Sequence, residues 1–185
     1  MTDLISERLE VDDDFEAIQE LYLERGWTDG LPVVPPTAER VEAMLAATPL
    51  TPQDIIGEIP PNWGSATVEK LAVNAVMAGC RPEYLPVVIA AVEAMCDEVF
   101  NLYAIQATTH PCAPLIIVNG PICDDLGLHG GSGAYGPGWR PNATIGRAVR
   151  LVQLNVGGAH PGVGDMSTQG APSKYSYCVA ENEEA

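Results

Sequence analysis

The chain has 185 residues, 46% of them apolar, and a mean hydropathy of +0.06, which excludes a disordered polymer and predicts a single folded domain with its own core. Its formal net charge of −16 excludes nucleic acid and anionic membrane as partners, since both select basic surfaces. The N-terminus MTDLISERLE fits neither a secretory signal nor an Arg-rich transit peptide, no apolar run is long enough for a membrane span, and five cysteines without framework spacing read as reduced thiols, so a cytoplasmic protein is expected.

Residues 1–11 and 179–185 read as loose acidic termini of one domain covering 1–185. Asp12, Asp13 and Asp14 place negative charge at the start of a helix running to about Arg25, with Phe15, Ile18, Leu21 and Tyr22 on one face and Gly26 as its stop. Residues 27–37 hold three prolines and predict a turn, a short extended piece at Val33 and Val34, and a proline stop. Thr37 is the expected N-cap of a helix over 38–47 with Val41, Met44 and Leu45 inward. A short strand at 55–59 follows among prolines and glycines, then a helix over 67–78 that stops at Gly79. Pro82 opens a further helix to about Val99, apolar nearly all round and therefore buried. Residues 102–108 and 115–118 read as two short strands joined through His110-Pro111-Cys112, 119–141 as a long Gly/Pro loop, and 143–154 as a helix capped by Asn142. The sum is an α+β fold: a compact single domain, mostly helical, with a small sheet of short strands and a long Gly-rich loop.

Function concentrates between Thr108 and Gly170, which hold all three histidines and thirteen of the eighteen glycines but only six charged residues. An exposed loop is normally charged, so this stretch is expected to fold against itself, a ligand or another subunit. The run Gly131–Gly136 matches GxGxxG, yet no strand leads into it and Gln153 occupies the place where a dinucleotide fold needs an acid. His129-Gly130-Gly131 suggests an esterase oxyanion loop, but no GxSxG elbow accompanies it.

The reading that remains is an anion site. Gly131, Ser132 and Gly133 lead to Arg140 and to the amides of a helix that begins at Asn142 and carries Arg147, and helix starts with arginine nearby take carboxylate or phosphate. The competing reading pairs these arginines with Asp124, Asp125, Asp165 or the acidic tail. His110, His129 and His160 are candidates for proton transfer, Cys112 for a nucleophile and Asp165 for a base. Cys80, just before the Pro82 helix start, is a second candidate for an activated thiol, whereas Cys96 reads as a packed core thiol. No CxxC, HxH or HExxH spacing supports a zinc site; a metal held by distant loops stays open, and no cofactor is indicated. Trp27 and Trp63 read as packing or interface residues.

The runs GWTDGLPVVPPT (Gly26–Thr37), NAVMAGCRPEYLPVV (Asn74–Val88), TTHPCAPLIIVNGP (Thr108–Pro121) and NATIGRAVRL (Asn142–Leu151) resemble an uncharacterised bacterial family found beside, or fused to, UGSC-motif (seleno)protein-like proteins. The resemblance implies work in a shared complex or pathway with a thiol or selenol partner, and supplies no catalytic residues. The chain has no UGSC or CGSC element of its own. Two expectations follow. One is an enzyme or enzyme subunit acting on a small anionic substrate by histidine acid/base chemistry, with thiol or metal assistance, either lyase- or hydratase-like or a thiol redox step. The other is a non-catalytic subunit in an obligate complex with itself or with a UGSC-type partner.

Overall fold

The computed structural model describes residues 4–183. Its centre is a helix pair, α3 (Val68–Ala78) and α7 (Arg140–Asn155), packed on one another more extensively than any other two elements. α2 (Ala38–Leu45) and α4 (Leu85–Cys96) flank the pair, and α1 (Phe15–Glu24) lies outside with no fully buried residue. α3 is buried on almost every side, which its small residues Ala72, Ala75 and Ala78 permit by letting neighbouring helices approach closely. Capping follows the sequence: Asp14, Thr37 and Thr67 each accept a backbone N–H of the first turn of their helix.

Among the described residues the strands form two small sheets. β1 (Ile55–Ile59) and β2 (Gly64–Thr67) make an antiparallel hairpin that feeds α3 directly. β3 (Ile116–Val118) and β4 (Cys178–Ala180) pair in parallel, Ile117 opposite Val179. The molecule is a single compact α+β domain, and no helix among the described residues is long and apolar enough to cross a membrane.

Three local expectations are corrected. Residues 102–107 are helical (α5, Leu102–Ala107), not a strand: Asn101 caps them with its side chain, and the buried pair Leu102 and Gln106 is spaced four apart, a helical interval. The Gly/Pro loop contains a short helix, α6 (Ile122–Leu126), and the last long helix begins at Arg140 with Trp139 as its N-cap, so Asn142 sits inside the first turn. The apolar helix α4 ends at Cys96, where Asp97 turns extended and starts a short 3-10 turn over Glu98–Phe100.

Parts of both termini expected to be loose are anchored, whereas residues 7–11 are exposed and have no regular structure. Leu4 packs on the core, and the N–H groups of Ile5 and Ser6 donate to the buried carboxylate of Glu69 at 3.1 and 2.8 Å. Val179 and Ala180 lie in the buried strand β4, and the Glu181 N–H continues that pairing to the carbonyl of Val118. Residues 1–3 and 184–185 of the expected loose ends fall outside the described residues.

Candidate functional site

The glycine loop is shaped by one buried amide. Asn142, in the first turn of α7, accepts from the His129 N–H (2.9 Å) and donates to the carbonyls of His129 (2.9 Å) and Ala134 (3.5 Å). His129 is thereby clamped as if by a neighbouring strand. Its ring stacks on Trp139 with centroids 3.7 Å apart and planes 1° apart, and its Nε2 lies 3.0 Å from the Ser132 carbonyl. A carbonyl only accepts, so Nε2 is the donor in this contact.

The glycines follow from these contacts. A Cβ on Gly130 would collide with the carbonyl of Ala180, and one on Gly131 would press the His129 ring at 3.1 Å. Gly131, Ser132 and Gly133 therefore wrap His129, and with Tyr135, Ile117 and Val179 the loop borders an open groove of about 470 Å³. Asn142→Ala is expected to cost about 1–3 kcal/mol, because it strands buried backbone groups without partners. Urea denaturation together with amide exchange at His129 measures this, and unchanged protection at that amide would contradict it.

The arginines divide. Arg140 donates from Nε and Nη2 to the carbonyl of Gly79 at 3.1 and 2.9 Å. Arg147 makes a bidentate pair with Asp29, 2.8 Å at both oxygens, and adds bonds from Nη2 to the carbonyls of Leu31 (3.1 Å) and Pro32 (2.9 Å). Burial raises the Asp29 carboxyl, but the Arg147 bonds and charge and the Leu31 N–H more than offset this and hold it below its ordinary range. Arg147 thus ties the Trp27–Gly30 turn to α7. Its partner is Asp29 rather than Asp124, Asp125 or Asp165.

Asp165 belongs to a different cluster. It is 2% exposed, and its Oδ2 meets Arg150 (3.1 Å) and Lys174 (2.8 Å) while its Oδ1 accepts from the Ser167 N–H (3.2 Å) and hydroxyl (2.9 Å). Burial would raise this carboxyl as well; the Lys174 and Ser167 bonds and the Arg150 charge bring it below the ordinary range. Arg150, itself buried, also donates to the carbonyl of Ala159 (3.2 Å) and to Gln153 Oε1 (3.5 Å), and burial lowers its pKa against the pull of Asp165.

One carboxylate therefore faces two cations, an excess of one positive charge in a cleft that Cys112, Gln106, Arg150, Gln153, Lys174 and Tyr177 help to line. The cleft is partly open to solvent and holds a space of about 20 Å³, room for a single water. Gln106 donates through Nε2 to the carbonyl of Pro60, and its Oε1 has no partner among the described residues.

Lys174, Gln106 and Gln153 were not legible as site residues. The available signal was the polar pair Arg150 and Gln153, three apart in the otherwise apolar run Ala148–Leu154.

The histidines are not gathered. His110 is exposed with its Nδ1 3.1 Å from the Thr108 hydroxyl, His129 belongs to the glycine loop, and half-buried His160 lies near Gly26 while its carbonyl accepts the N–H groups of Val163, Gly164 and Asp165. None of the three lines the Arg150–Lys174 cleft. Cys112 is the exposed thiol. Cys80 does not have the electropositive, accessible setting expected for a reactive thiol: it is buried, donates to the Thr144 carbonyl at 3.3 Å, and burial pushes it up to about 12. Cys96 is partly buried and packs against Gly57 of β1 at the margin of the core. Among the described residues no group of three or more His, Cys, Asp or Glu side chains is placed to hold a metal ion. No family model, curated protein or solved structure matches the chain.

Proposed function

We propose that the chain is an enzyme, or the substrate-holding subunit of one, that takes a small anionic molecule at the Arg150–Lys174 cleft with Cys112 as its reactive group. The observation that carries this is the charge imbalance: two nearly buried cations share the single carboxylate of Asp165, in a protein whose net charge is −16. A buried positive charge without a full counter-charge is costly, and a carboxylate or small oxyanion supplies the missing one. Cys112 lines the same cleft, and His110 lies two residues away as the group to carry a proton to or from it. The cleft has room for one water, so a larger anion needs the side chains around its mouth, Lys174 among them, to give way.

The test compares two alkylating reagents of like size at Cys112. Iodoacetate is expected to react about five- to tenfold faster relative to iodoacetamide than it does with a free thiol, since about 1 kcal/mol of favourable charge separates the reagents near a surface site. Lys174→Met should return the ratio to that of glutathione. A wild-type ratio equal to the free-thiol ratio, read by peptide mass mapping, would remove the reading.

A second reading, a non-catalytic subunit assembling with itself or with the UGSC-type partner that the motif resemblance implies, has its own support. Trp63 and Tyr103 stack at 6.1 Å while each stays at least half exposed, and Val99 and Phe100 of the chain leading into α5 are exposed too. Exposed aromatic groups of this kind are common anchors of protein interfaces.

A further inference from the structure

The β3–β4 sheet has only two strands, and they are parallel. Parallel strands normally lie inside larger, covered sheets. Of its two outer edges, that of β4 is covered: the Ala180 N–H donates to the His129 carbonyl, with Gly130 packed behind it. The edge of β3 is different. Ile116 donates to the carbonyl of Tyr177 and Val118 accepts from Glu181, so residues 116 and 118 turn their backbone groups toward β4. By the alternation of a strand, the N–H and C=O of Leu115, Ile117 and Asn119 point the other way, and no described residue bonds them. Leu115 and Ile117 present exposed apolar side chains, at 37% and 57%, with Tyr135 beside Ile117 in the groove, and the third outward residue, Asn119, is polar. Among the described residues no charge, bulge or covering loop guards this edge; its protection is its short length and the Pro114 that precedes it.

We infer that this edge pairs with β3 of a second copy of the chain, antiparallel, about a two-fold axis at Ile117. Backbone parity allows that register, and it is the one that pairs Leu115, Ile117 and Asn119 wholly among themselves. With Ile117 opposite Ile117, Leu115 falls opposite Asn119, and every outward-facing group meets an outward-facing group. Charge selects the same orientation. The C-terminal end of β3 is acidic: Asp124 and Asp125 follow it, Glu181 holds the Asn119 side chain at 3.1 Å, and Glu183 accepts the Gly120 N–H at 2.7 Å. The N-terminal end carries the excess positive charge, since Ala113 and Pro114 border the cleft where Arg150 and Lys174 share one carboxylate. Antiparallel pairing sets the acidic end of each copy beside the cationic end of the other; parallel pairing would set acid on acid. It also carries each partner's acidic end to the mouth beside Cys112, so the second copy would shape access to the cleft. The inference deepens the self-assembly reading by naming its edge and occupant, and does not rest on the anion reading.

Light scattering over a concentration series tests it. The wild-type chain is expected at twice its 19.6 kDa mass, and Ile117→Lys, which puts charge on the edge, at the single-chain mass with an unchanged far-UV spectrum. Because Ile117→Lys could also disturb folding, Ile117→Cys in a Cys112→Ser background gives a second measure: a short bis-maleimide should link two copies through position 117. Trp63→Ala should remain a dimer. A wild-type monomer overturns the inference. So does a dimer that survives Ile117→Lys and is broken by Trp63→Ala, which leaves self-assembly standing through the other surface. Absence of the 117 cross-link in a confirmed dimer overturns the register.

Discussion

Asp165→Asn is expected to destabilise the fold by about 3–5 kcal/mol, the usual result of removing one partner of a buried ion pair. Asparagine keeps the shape and can still accept from Ser167, so the loss comes from charge rather than volume. Lys174 sits in a short surface turn and can swing its ammonium into water, so it recovers most of its hydration. Arg150 cannot: its guanidinium is held inside the protein between the Ala159 carbonyl and Gln153. Most of the cost therefore falls on Arg150, and Lys174→Met, which leaves Asp165 bonded to Arg150 and Ser167, should cost less. The folded Asp165 carboxyl is lowered, so its contribution is present above the ordinary carboxylate range and is lost as pH falls through its folded value. Urea denaturation as a function of pH should show that acid-side loss in the wild type and its reduction in Asp165→Asn. The same variant bears on the cleft's ligand. With the resident carboxylate gone, added acetate or formate should return part of the stability by binding the folded state. Equal stabilisation of wild type and variant by these salts would mean that the anion acts elsewhere.

Much of the scaffold was legible because its signals are local. A hydroxyl or carboxylate cap followed by an apolar period places α1, α2 and α3 near their true limits, and Gly79 stops α3 in a left-handed turn as the sequence suggests. The errors arose where local pattern was ambiguous. LYAIQA is a short, mostly apolar run that shows no period of its own, and only the tertiary burial of Leu102 together with Gln106 decides for a helix. β4 is three residues long, and only its pairing with β3, about sixty residues earlier, defines it.

The candidate site was legible as a region but not as a set of contacts. Charge-poor glycine sequence did mark the loop around His129, but the glycines answer to Ala180, the His129 ring and Trp139. The three histidines looked alike in sequence and occupy three surroundings, since nothing local fixes where a loop residue ends up. Lys174 lay in a tail without regular signals. Its role depends on Asp165, which was read as a base and is held as the counter-charge of two cations.

Arg147→Met should be the costliest single change at the other ion pair, about 3–5 kcal/mol, and more than Asp29→Asn. The asymmetry follows from the bonds. Arg147→Met leaves the Asp29 carboxylate buried with the Leu31 N–H as its remaining strong donor and strands the carbonyl of Pro32, while the Thr28 hydroxyl goes on holding the Leu31 carbonyl. Asp29→Asn leaves Arg147 bonded to both carbonyls and keeps an acceptor for the Leu31 N–H. The double variant should cost clearly less than the sum of the singles, because most of each single penalty is the charge left behind. Because the Asp29 carboxyl is lowered, the wild type should lose this contribution as pH falls below the ordinary carboxylate range, and Asp29→Asn should lack that part of the slope. Additive singles in denaturant titrations would show that the two side chains act independently. Strong coupling would place the Trp27–Gly30 turn and α7 in one cooperative unit, joined by side chains 118 positions apart in the chain.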